Sequence, residues 1–250
     1  LGKIVDLFAG IMDFWILLGL LGVMAFLYAS VGHGGASGYL AVLAIFSVAP
    51  AVMKQTALIL NLGVSLLAFY QFYKKGYFRF ELFWPFALTS IPMSYLGAQF
   101  VLSDANYKRI LGACLLIAII RMMANFKDVT YRSVSILIAL VFGAGIGLLS
   151  GMIGIGGGII LSPVLLLMRW SSLKQAAAVS SLFIFVNSVA GLAGIKHWIP
   201  LDDSLIYWIA SALFGGMLGA RWGAQIASNQ AVRWILALVL LIASAKLIII

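Results

Sequence analysis

Ten apolar runs follow one another along this chain, at 14–31, 36–49, 55–73, 82–102, 107–124, 133–151, 156–169, 175–195, 204–226 and 231–250. A helix rises about 1.5 Å per residue, so it needs roughly 20 residues to cross a hydrocarbon core of about 30 Å. Eight of the runs are long enough. Those at 36–49 and 156–169 reach only about 20 Å and read as half-helices or re-entrant elements. Each follows a glycine cluster: Gly32-His33-Gly34-Gly35-Ala36-Ser37-Gly38 before the first, Gly154-Ile155-Gly156-Gly157-Gly158 at the second. Irregular backbone at membrane depth is tolerated only inside protein or along a watery cavity. A matched pair of broken, short helices is the sequence signature of a carrier's central site. Glycines that merely let helices pack closely are the alternative.

Composition agrees with a membrane-embedded chain. It is 64% hydrophobic and 9% charged, with mean hydropathy +1.14, and a soluble domain of this size cannot cover its surface with so few charges. The net charge of +9 is spread over loops singly and in pairs. Without a polybasic run or an aromatic RNA-binding motif, it fits headgroup contact and orientation rather than nucleic acid. The single cysteine, Cys114, permits neither an internal disulfide nor a cysteine metal site. Residues 1–13 lack the basic start of a signal peptide. All seven tryptophans (Trp15, Trp84, Trp170, Trp198, Trp208, Trp222, Trp234) fall near run ends, as an interfacial belt requires.

The halves repeat. Gly32-X-Gly34-Gly35 matches Gly154-X-Gly156-Gly157, Lys54-Gln55 matches Lys174-Gln175, Leu96-Gly97-Ala98 matches Leu218-Gly219-Ala220, and Lys108-Arg109-Ile110-Leu111 matches Arg233-Trp234-Ile235-Leu236. The expected architecture is an all-α polytopic membrane protein of two homologous repeats, 1–126 and 127–250, forming one transport domain. If every run crosses, there are five segments per repeat and the repeats are inverted. Lys and Arg then divide ten (Lys74, Lys75, Arg79, Arg121, Lys127, Arg132, Arg169, Lys174, Arg221, Arg233) against six, which puts both termini outside. If the short runs re-enter on one side, the repeats are four plus four and parallel. The inverted arrangement is preferred.

The acidic residues Asp6, Asp13, Glu81, Asp104, Asp128, Asp202 and Asp203 all fall in loops or at run ends. No carboxylate is placed mid-membrane, where proton pumps and cation pathways keep one, so an anionic or neutral cargo is expected. Glycine-rich helix starts present unpaired N–H groups and a positive dipole end to an anion. The candidate contacts are Gly32, His33, Gly34 and Gly35 in the first break, and Gly154, Gly156, Gly157 and Gly158 in the second. Asn61 and Ser65 share one helical face, and Ser180, Ser181, Asn187 and Ser188 are available in the other half. These neutral groups attract an anion without trapping it; polar glue between helices is the other reading. Lys54, Gln55, Lys174 and Gln175 line vestibules or snorkel to headgroups. Arg221 is matched by neutral Gln99, so the repeat lends it no support. His33, whose counterpart is Ile155, can donate to an anion, carry a proton, or bind a backbone carbonyl.

With the duplicated G-x-G-G motif, the run Ala178 to Gly191 and the repeated Leu-Gly-Ala, the chain resembles the TauE/SafE family of sulfite and organosulfonate exporters. The resemblance covers both halves and implies a multi-pass carrier of the bacterial or archaeal inner membrane, moving sulfite, sulfonates or related sulfur anions. The first break departs from the commoner G-x-G-G-G, with Ala36 where the second has Gly158. The expected partners are a small anionic substrate, the lipid bilayer, a coupling ion (proton or sodium) and further copies of the chain in a homo-oligomer, with no nucleic acid, cofactor or metal. A passive anion channel, or a carrier of another small organic anion, is the alternative. The chain has no nucleophile–base pair, zinc-type histidine spacing or lipid-phosphate motif to suggest an enzyme.

Overall fold

The computed structural model describes residues 2–100, 102–123, 132–200, 203–225 and 241, with side chains from Asp13 onward except those of 114–115 and 117–123. The described residues are helical and contain no strand. They form α1 (Gly2–Ser30), α2 (Ala36–Ile45), α3 (Pro50–Lys74), α4 (Phe80–Ala98), α5 (Asp104–Met123), α6 (Ile136–Ile153), α7 (Gly158–Leu167), α8 (Leu173–Gly194) and α9 (Ser204–Gln225). Most of the expected tenth run (231–250), with Arg233, Trp234 and Lys246, lies outside the described residues, as do Lys127, Asp128, Asp202 and the side chains of Asp6, Cys114 and Arg121.

Four described helices are long and apolar enough to cross a bilayer: Asp13–Ser30, Pro50–Lys74, Ile136–Ile153 and Leu173–Gly194. α4, α5 and α9 have 19, 20 and 22 residues, a comparable length with lower apolarity. The short runs are shorter than the sequence suggests, 10 residues each. Residues 2–13, ahead of the first apolar run, extend α1, so Asp13 at the edge of that run is an exposed residue within a helix. Proline opens α3 at Pro50, where its missing N–H is not needed. A reciprocal Ser172–Gln175 capping box opens α8.

The chain direction can be followed from contacts. α3 and α8 run antiparallel, since Gln55 bonds Ile199, Asn61 bonds Ser188, Gly191 meets Leu58, and Lys174 meets Tyr77. α2 returns antiparallel along α1: Ser37 donates to the Tyr28 hydroxyl at 2.9 Å, and Gly38 faces Tyr28 and Met24. α7 likewise runs back toward the start of α6, because Arg132 N–H, just before α6, donates to Arg169 O, just after α7, at 2.8 Å. Two glycine seams bring backbones into direct contact. Gly143, Gly147 and Gly151 of α6 lie against the backbone of Phe86, Ser90 and Ser94 on α4, and Gly215, Gly219 and Gly223 of α9 against that of Gly22, Phe26 and Ser30 on α1. Small residues at four-residue spacing make such close crossings the main source of packing energy where lipid removes the hydrophobic drive. Trp170, at a run end, is buried with its ring beside Phe86.

Candidate functional site

The two breaks are built by the same local chemistry. α1 ends in a Schellman turn, with Gly32 at φ 76°, its N–H donating to Ala29 O and that of His33 to Tyr28 O. α6 ends on Gly154 at φ 82°, whose N–H donates to Ser150 O at 2.8 Å. The following half-helices start from left-handed N-caps, Gly35 (φ 97°) for α2 and Gly157 (φ 78°) for α7, a conformation that only glycine adopts at no steric cost. Both half-helices also end alike: Ser47 (φ 59°) and Arg169 (φ 57°) take the left-handed position without being glycine, each inside a Schellman pair of bonds.

The breaks converge. A Cβ on Gly34 would lie 2.7 Å from Asn61 Oδ1 and 2.9 Å from Ile184 Cγ2. A Cβ on Gly156 would lie 2.8 Å from Asn61 Nδ2 and 2.8 Å from the same Ile184 methyl. One amide therefore sits between both chain reversals, within reach of both helix starts. Asn61, Ser65 and Ser188 are fully buried around it. Asn61 Nδ2 donates to Ser188 Oγ at a long 3.4 Å, whereas Asn61 Oδ1 and the Ser65 hydroxyl have no partner among the described residues. Unmet buried polar groups of this kind cost about 1–3 kcal/mol each, and these two lie where both glycine breaks meet.

His33 sits beside this centre, 4% exposed. Its Nδ1 lies 3.0 Å from Val31 O, and a carbonyl can only accept, so Nδ1 carries a proton. In the neutral ring, Nε2 then accepts from Ser162 O–H (3.1 Å), which in turn accepts from Ser180 O–H (2.7 Å). This chain joins the first break to α7 and α8 of the other half. Ser162 was not among the residues singled out from sequence. The available signal was paired asymmetry: in the first copy Ser162 corresponds to Leu40, just as His33 corresponds to Ile155 in the second. Tyr39, also missed, lays its ring against Gly35 and keeps a buried hydroxyl with no partner among the described residues.

The remaining candidates are dispersed. Ser181 donates to Gly32 O (2.8 Å) and to Ala177 O, bracing the first break. Asn187 faces α4, where Nδ2 donates to Ser90 Oγ and to Phe183 O of its own helix. Gly158 meets Ile184, and Gly154 packs on the Lys54 backbone. Lys54 Nζ donates to Ala98 O at 2.9 Å, capping the end of α4. Gln55 forms a two-way clamp with Ile199. Lys54 and Gln55 border a cavity of about 490 Å³ that also includes Gln99, Tyr107, Lys196 and His197. Lys174 is exposed over the Tyr77 ring, and Gln175 is used in the α8 cap. Among the described residues no cluster of His, Cys, Asp and Glu could hold a metal.

Comparison with known proteins places the chain among membrane transporters. A family model described as sulfite exporter TauE/SafE matches residues 16–247. The chain is 36% identical over 233 residues to a protein of Sinorhizobium fredii named probable membrane transporter protein y4hK, covering 90% of this chain and 94% of that one. It is 34% identical over 119 residues to probable membrane transporter protein YunE of Bacillus subtilis, covering 46% and 41% of the two chains. Over 90 residues it is 38% identical to probable membrane transporter protein MamO of Magnetospirillum gryphiswaldense, covering 32% of this chain and 14% of that one. No solved structure matches. A helical, multi-pass chain with paired glycine reversals around a buried amide, matched over nearly its whole length, belongs to the sulfite exporter TauE/SafE family of membrane transporters.

Proposed function

We propose that this protein is a secondary carrier that exports a small sulfur-containing anion, sulfite or an organosulfonate, across the inner membrane by alternating access. The observation that carries this reading is the convergence of Gly34 and Gly156 on the single Asn61 amide. Two half-helices aim their positive ends at that point from opposite sides. The Ser65 hydroxyl and the Asn61 amide add neutral hydrogen-bonding groups, enough to orient an oxyanion and weak enough to release it.

The contacts between helices support inverted repeats. α4 packs on α6 and α9 on α1; α4 packs on α8 and α9 on α3; α7 packs on α8 and α2 on α3. Exchanging α1–α4 with α6–α9 turns the first member of each pair into the second. α3 and α8, the counterparts at the centre, run in opposite directions, as inversion requires. In this reading α4, α5 and α9 cross the membrane too. Lys74, Lys75, Arg79, Arg132, Arg169, Lys174 and Arg221 then gather at one end of the bundle, while Asp13, Asp104 and Asp203 join the basic residues at the other, so the Lys74 end faces the cytoplasm.

Carrier is preferred to channel because Asn61, Ser65 and Ser188 have no exposed surface and Gly34 and Gly156 are buried beside them, as in an occluded carrier rather than an open pore. The test is counterflow in proteoliposomes, with labelled sulfite inside a panel of unlabelled sulfonates, sulfate, thiosulfate and phosphate. Saturable exchange restricted to a subset of sulfur anions is expected. Linear, non-selective flux would replace the carrier with a passive channel, and absence of flux for every sulfur anion would overturn the substrate class.

A further inference from the structure

At the Lys74 end, the last turns of α3 and α9 enclose a cavity of about 570 Å³. Lys74, Lys75 and Arg221 stand around its mouth, with the polar side chains of Tyr70, Gln71 and Gln225 between them. Among the described residues none of the three cations has an ion-pair partner, and the one described ion pair there, Arg79–Glu81, lies beyond the end of α3. Three positive charges around one hollow repel each other, and an anion seated there relieves all three interactions at once. Lys74 also sits in the last turn of α3, whose carbonyls favour a cation there.

The surroundings identify the kind of anion. Leu67 and Met217 floor the cavity. The same stretches of α3 and α9 also expose apolar side chains, Leu66 and Tyr73 on α3 and Phe214 and Leu218 on α9. In a chain that lies in a bilayer, such side chains meet acyl chains. A polar, cationic hollow at headgroup level beside acyl-facing side chains matches an amphiphile with an anionic head. Arg supplies paired N–H groups to phosphate oxygens, and Lys supplies point charge. Basic pockets between membrane helices on the cytoplasmic side are where such headgroups bind.

We propose that the cavity formed by Lys74, Lys75 and Arg221 binds a phosphate-bearing anion, with the headgroup of an anionic phospholipid as its source. This site is separate from the Asn61 centre and does not depend on what the carrier transports.

The test uses the full chain purified in detergent, with thermal unfolding followed by tryptophan fluorescence. Short-chain phosphatidylglycerol, short-chain phosphatidylcholine, inorganic phosphate and sulfite are titrated separately. Phosphatidylglycerol is expected to raise Tm by roughly 5–10 °C at a hundredfold excess over its Kd, with the shift removed by high salt. The shift should vanish in K74Q/K75Q/R221Q and persist in K74R/K75R/R221K, a pair that separates lost charge from lost fold. An equal shift from inorganic phosphate, also lost in the glutamine variant, would keep the site and make the source a soluble anion. An equal shift from phosphatidylcholine, or one that survives in K74Q/K75Q/R221Q, would overturn the proposal. A shift from sulfite alone would also overturn it and assign the cavity to the transport path.

Discussion

The two breaks share a backbone and differ in chemistry. Gly32–Gly35 and Gly154–Gly157 share left-handed glycines at their first and last positions, deliver half-helices of equal length and reach the same Asn61 amide, with Gly156 left-handed in the second break alone. The first carries His33, wired through Ser162 to Ser180. The second carries Ile155, buried among apolar side chains. The break geometry occurs twice, while among the described residues the hydrogen-bonded chain belongs to the first break. For the carrier proposed above, such a centre would offer a ligand two matched backbones and two different side-chain surfaces.

Four changes would break or sharpen that comparison. The largest effect is expected from Gly34→Leu and Gly156→Leu. Either side chain would run into Asn61 and Ile184 at once, so counterflow should be abolished while membrane insertion, read by monodisperse extraction, stays normal. Wild-type flux in either variant would sink the glycine-centred site. Alanine at the same positions tests the difference between them. Gly156 has φ 71°, whereas Gly34 lies outside the left-handed region. Gly156→Ala should therefore cost about 1–2 kcal/mol more than Gly34→Ala from backbone strain alone, measured by thermal unfolding.

Next comes His33→Ile, which gives the first break the residue of the second. Ser162 would lose its acceptor, at a cost of about 1–3 kcal/mol. Adding Ser162→Ala should recover part of the loss, and the cycle should give a coupling of about 0.5–3 kcal/mol. Additive effects would show that the two side chains do not act together. The smallest effect is at the far end of the half-helix. Ser47 holds φ 59° without being glycine, so Ser47→Gly should stabilise by about 1 kcal/mol with unchanged transport; a loss of stability would mean that the hydroxyl matters more than the strain.

Much of the framework was legible in sequence, and particular residues say why. Gly35 and Gly157 announced chain reversals because no other residue takes their φ cheaply, and runs of fewer than 15 residues announced half-helices by length alone. The facing of polar side chains was not legible. Asn61 and Asn187 looked alike as buried amides on long helices, yet one meets both breaks and the other bonds Ser90 on α4. Helical periodicity gives a residue's angle on its own helix but not which neighbour occupies that direction. Trp170 followed the same rule: its place at a run end suggested lipid headgroups, and packing against Phe86 turned it inward.

By itself, then, the sequence determined a membrane-embedded helical chain, two glycine-built reversals and the short helices after them. These are local consequences of apolar run length and backbone sterics, and they hold whatever the neighbours do. Only the tertiary structure decided that both reversals meet at Asn61, that His33 bonds Ser162 across 129 positions of chain, and that Lys74, Lys75 and Arg221 share one cavity. Those pairings depend on which helices cross and in which direction. The two glycine seams set those crossings, by letting α6 lie on α4 and α9 on α1 at backbone contact.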